Sequence, residues 1–71
     1  MDNNVMEYVI VRQKTDKTPH FYLADYDNVK HNTVMWSRDM GDAFIFDKYK
    51  EAEAVVKWLA ALKIIAKIDI T

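Results

Sequence analysis

Apolar and polar positions alternate along the first third of this chain and then change period. Val5 to Gln13 is rich in Val, Ile and Tyr and reads as a strand. One face carries Met6, Tyr8, Ile10 and Arg12, and the other Val5, Glu7, Val9 and Val11. Both faces are largely apolar, which predicts a central strand covered on one side by a helix. Lys14 to Pro19 is polar and ends in a residue that cannot donate to a ladder, so it reads as a hairpin loop. His20 to Tyr26 is the second expected strand, with Phe21 and Leu23 on one face and His20, Tyr22 and Ala24 on the other. Asp25 to Asn32 has turn composition. Thr33 to Ser37 is the third strand, with Val34 and Trp36 opposite Met35. The only Gly, Gly41, lies in the break from Arg38 to Asp42, and Ala43 to Phe46 leads in extended form to a helix.

That helix is expected to start at Asp47, whose carboxylate suits an N-cap, and to run to about Ala61. Tyr49, Ala52, Val55, Val56, Leu59 and Leu62 recur at the spacing of one buried face. Lys50, Glu53 and Lys57 fall opposite, and Trp58 lies on the border. Ile64 to Ile70 returns to period two, with Ile64, Ala66, Ile68 and Ile70 on one side and Ile65, Lys67 and Asp69 on the other. Alternation and β-branching favour a final strand, although no Gly or Pro marks the turn before it. The predicted fold class is α+β: one domain over residues 1–71, an antiparallel sheet of three or four strands with one helix across a face, in the order β-β-β-(β)-α-β.

Composition narrows the function classes. With 71 residues the chain can hold a single small core and bury only roughly 60% of its unfolded surface. Without Cys there is neither a disulfide framework nor a thiolate metal site, so stability rests on packing or on a partner subunit, and a reducing, cytoplasmic setting is expected. The first residues have neither a basic nor an apolar segment of the signal-peptide kind. The net charge is -1, and neither half of the chain is polarised. A basic nucleic-acid footprint is therefore missing.

The chain also resembles small phage and prophage accessory proteins. The resemblance rests on Trp36, Ala43, Phe46, Glu51 and Ala52, together with Tyr8-Val-Ile-Val and Phe21-Tyr-Leu in the strands before them. It covers most of the chain but consists largely of core positions. It implies a protein that acts on host machinery inside the host cell by blocking or redirecting a host protein.

Candidate chemistry is sparse. Asp25, Asp27, Asn28 and His31 share one loop, but Lys30 and Trp36 stand where a calcium loop needs Gly and Glu. His20 and His31 are the only imidazoles, and Ser37, the only serine, has no His close by in sequence. No catalytic, metal or cofactor residue is assigned and the chain reads as a non-enzyme. Aromatic residues form 13% of the chain. Trp36, Phe46 and Tyr49 read as core, and Tyr22, Tyr26 and Trp58 as candidates for partner contact, since Trp and Tyr dominate binding hot spots. For Trp58 a place at the core edge under the final strand is an equal alternative. Two other readings stand beside a protein-binding factor. One is a single-strand nucleic-acid binder stacking bases on Tyr22 near Arg12 or Lys14. The other is a structural subunit that dimerises through Ile64–Ile70.

Overall fold

In the computed structural model, which describes residues 6–12 and 21–71, one four-stranded sheet carries one helix. The strands are β1 (Tyr8–Arg12), β2 (Phe21–Asp27), β3 (Thr33–Ser37) and β4 (Lys67–Ile70), with α1 (Tyr49–Ala61) between β3 and β4. The sheet order is β3-β2-β1-β4 and every pairing is antiparallel. The expected α+β architecture is present, with β1 central. The residues expected to form the polar hairpin loop, and His20, lie outside the described residues.

Ile10 and Leu23 of the sheet, Phe46 of the lead-in and Ala52, Val55 and Leu59 of α1 form the buried cluster between sheet and helix. Burying each large side chain of this set contributes about 1.5–3 kcal/mol. Val34, Trp36, Ile64, Ala66 and Ile68 pack half-buried around it. Val9 and Val11 are buried on the opposite face, as expected of a strand that is apolar on both sides.

Three features depart from the sequence pattern. Firstly, β2 slips register between Leu23, which faces Trp36, and Asp25, which faces Met35. Ala24 is the extra residue of a β-bulge, and the slip reverses the alternation beyond it. Secondly, β1 and β2 diverge after the Val11–Tyr22 pair, and residues 44–46 fill the gap. The Phe44 N–H donates to the Leu23 carbonyl at 2.7 Å, while Phe46 exchanges two 2.8 Å bonds with Tyr8. The lead-in thus bridges β2 and β1 without forming a regular strand, and a 3-10 turn at Met40–Asp42, capped by Asp39, precedes it.

Thirdly, Asp47 is not the helix cap. Phe46 is fixed by its bridge to Tyr8, so α1 begins later and the capping position falls on Lys48, with no side-chain cap bond. Tyr49, expected in the core, is half exposed and packs edge-on against Tyr8 with ring centroids 5.5 Å apart. Leu62 is likewise exposed, one position past the helix end.

The helix stops without Gly. Lys63 adopts the left-handed conformation, φ 66°. Its N–H donates to the Ala60 carbonyl and the Ile64 N–H to the Leu59 carbonyl, both at 2.9 Å. These two bonds make a Schellman motif, and Ile64 packs on the core cluster that holds Leu59. The turn delivers Ala66 and Ile68 to the helix side of the sheet.

Candidate protein-binding surface

Tyr26 is the hub of an aromatic ledge where β2 meets the helix. Without the bulge, Tyr26 would share the face of Tyr22; the register slip turns it towards α1. Its ring stands 5.3 Å from Phe44 edge-on, 6.0 Å from Phe46 nearly parallel and 6.0 Å from Trp58 at a tilt. Phe44 and Phe46, two residues apart on the inserted segment, lie 4.8 Å from each other. Geometries of this kind contribute about 0.5–1.5 kcal/mol per pair beyond simple burial.

The ledge is braced at its far side. Asn32, itself left-handed at φ 52°, accepts the Trp58 indole N–H at 3.4 Å. Tyr26 and Trp58 are half-buried, while Phe44 beside Tyr26 is 37% exposed. Burial, then the carboxylates of Glu51 and Asp25, push the Tyr26 hydroxyl above its ordinary pKa. The surface joins a Tyr and a Trp with two Phe, and Tyr and Trp are the residue types enriched in interface hot spots.

Of the three candidates from the sequence, Tyr26 and Trp58 come together here and Tyr22 does not. Tyr22 pairs with Val11 on β1 and Ser37 on β3, on the side away from the helix. Arg12 faces the helix side instead, so the expected face combining Tyr22 with Arg12 is not formed. Arg12 lies over the Trp36 ring at 5.7 Å from its centroid, and Arg38 over Phe21 at 5.9 Å. Sequence reasoning missed Phe44 as a ledge member, although its spacing from Phe46 placed both on one side. It had no signal for the arginine pairs, which are set by strand register.

The turn after β2 is organised by Asp27. One carboxylate oxygen accepts the Val29 and Lys30 N–H groups at 3.0 and 3.1 Å, and the other meets His31 Nδ1 at 2.9 Å. The Lys30 N–H, then His31, then the Val29 N–H hold the Asp27 carboxyl below its ordinary value. Ser37 donates to Asp42 at 3.0 Å, within the turn that follows β3. Among the described residues, no group of three or more His, Asp or Glu side chains is placed to hold a metal ion. Nor is any helix among them long and apolar enough to cross a membrane.

No family model matches the chain, and no curated protein or solved structure matches it.

Proposed function

We propose that this protein is a small non-enzymatic binding factor of phage type that docks on a host protein and blocks or redirects it. The observation that carries the reading is the aromatic ledge. Tyr26, Phe44, Phe46 and Trp58 form one connected set, with Phe44 exposed at its edge. Rigid aromatic rings lose little conformational freedom on binding and bury much apolar area, so such a set favours association with another protein. The phage setting rests on the resemblance at Trp36, Ala43, Phe46, Glu51 and Ala52.

The test uses the protein as bait in an extract of bacterial host cells, beside Ile45→Asp and Phe44→Ser. Both substituted side chains are already exposed, so the fold should survive. A protein retained by the wild type and by Ile45→Asp but lost with Phe44→Ser, at both low and high salt, supports the reading. Retention that is equal for all three baits, or none at all, removes it.

A second reading is favoured by one observation. Arg12 and Arg38, the only arginines of the chain, both stand over aromatic rings at the same end of the sheet. Guanidinium and ring together suit a single-stranded nucleic acid. Its signature would be binding of an oligonucleotide that weakens steeply with salt and is lost on Arg12→Gln.

A further inference from the structure

The last strand offers a surface independent of the aromatic ledge, on the other side of β1. Among the described residues, β4 is an edge strand, paired with β1 alone. Which of its backbone groups face outward follows from bond parity. Tyr8 uses its N–H and carbonyl on Phe46, away from β4. Successive residues of a strand point their backbone groups to opposite sides. Val9 and Val11 therefore turn theirs to β4, where Asp69 and Lys67 stand opposite them. The Thr71 N–H, of the same parity as these two, donates to the Glu7 carbonyl at 3.0 Å. The alternate residues, Ile68 and Ile70, point their N–H and carbonyl groups away from the sheet. The Ile70 N–H meets its neighbour's carboxylate, Asp69 Oδ1, at 2.9 Å.

We propose that β4 pairs with β4 of a second copy of this chain, antiparallel, about a two-fold axis through Ile68. Charge selects both the occupant and the register. Centring the axis on Ile68 places Lys67 of each copy opposite Asp69 of the other, on the face away from the helix. A centre at Asp69 opposes two carboxylates, and a centre at Lys67 opposes two ammonium groups. Like charges directly across a strand pair are destabilising and opposite charges stabilising. In the chosen register Ile68 exchanges two backbone bonds with Ile68 of the second copy. Ile70 faces Ala66 of the second copy, so the large side chain stands beside the small one. Ile70 is 55% exposed in the single chain and would be covered. A two-fold axis normal to the sheet gives one continuous eight-stranded sheet with both helices on the same side. Asp69 guards the edge in the monomer by holding the Ile70 N–H. On pairing, it gives up that bond and faces lysine, while the Ile70 N–H turns to the Ala66 carbonyl of the second copy.

Sedimentation and amide spectra across a concentration series, up to millimolar, test this. The wild type should associate to a dimer, with amide shifts concentrated at Ala66 to Ile70. Lys67→Asp should weaken the dimer about tenfold, because two attractive cross-strand pairs become repulsive. Asp69→Lys should do the same. The double variant, K67D with D69K, restores opposite charges across the axis and should recover association. The residues directly opposite these positions within the chain are Val9 and Val11, so neither reversal changes a directly opposed charge pair on β1. Amide dispersion of each variant confirms that it is folded. A wild type that stays monomeric overturns the proposal. So do shifts that map to β3 or to the aromatic ledge, association unaffected by either single charge reversal, or a double variant as weak as the singles.

Discussion

Leu23 and Tyr26 are three residues apart on one strand, yet both side chains reach the helix side of the sheet. Regular pleating would put them on opposite faces. The bulge at Ala24 absorbs the odd residue and lets Tyr26 join Phe44, Phe46 and Trp58. Deleting Ala24 should therefore keep Tyr26 on the same face, now two residues from Leu23, and leave a folded protein. Tyr26→Ala, by contrast, strips three rings of a neighbour and should cost about 2–3 kcal/mol, somewhat less than a fully buried aromatic. Denaturant unfolding of the two variants checks the contrast. A deletion more damaging than Tyr26→Ala would count against the bulge as the device that orients the ring.

The start of α1 is open to improvement. Asp47 lies one residue before the cap position and makes no capping bond, so Asp47→Ala should change stability by less than about 0.5 kcal/mol. Lys48→Asp should gain about 1 kcal/mol, since it supplies an acceptor to the first turn and removes a cation from the positive end of the helix dipole. Thermal or chemical unfolding separates these outcomes. A large loss on Asp47→Ala would return the cap to Asp47.

Lys63 holds a backbone conformation that glycine adopts at no steric cost. Lys63→Gly should stabilise the protein by about 0.5–1 kcal/mol, net of the extra freedom glycine gives the unfolded chain. The same unfolding measurement decides it, and destabilisation would mean that the lysine side chain contributes contacts of its own.

Asp27 should make the turn after β2 acid-sensitive. Its carboxyl is held below the ordinary aspartate value by the Lys30 N–H, His31 and the Val29 N–H. A lowered folded-state pKa means that its contribution is fully present above the unfolded-state value. That contribution drains away as pH falls from there through the folded-state value. Unfolding midpoints measured over acidic pH should fall more steeply for the wild type than for Asp27→Asn. Equal slopes would show that the carboxylate is not held by those donors.

Much of the fold was legible because period carries it. Thr33–Ser37 and the end of α1 at Ala61 follow directly from alternation and from three-and-four spacing. The final strand was readable too, although its turn uses Lys63 where the sequence gives no turn signal. What alternation cannot show is where it breaks. Nothing in Leu23-Ala24-Asp25 announces a bulge, so the expected faces of β2 failed beyond Ala24. The helix start was misplaced because Phe46 is held by a strand 38 residues away, which a local capping rule cannot see. The candidate surface was half legible. Residue type pointed to Tyr26 and Trp58, but only tertiary placement separates them from Tyr22 and adds Phe44.

The insertion of residues 44–46 beside β1 also sets an order of events in the cell. β1 cannot complete its ladder from its own hairpin, because one flank waits for Phe46 and the other for Lys67–Ile70. Between translation of Arg12 and of Ile70 lie 58 residues. At typical synthesis rates that is roughly 3–12 s during which the most apolar strand of the chain has open flanks. A chain whose β1 flanks stay open that long is expected to gain from any factor that shields bare strands. Its yield in the cell should depend more on that shielding than on the equilibrium stability of the finished domain.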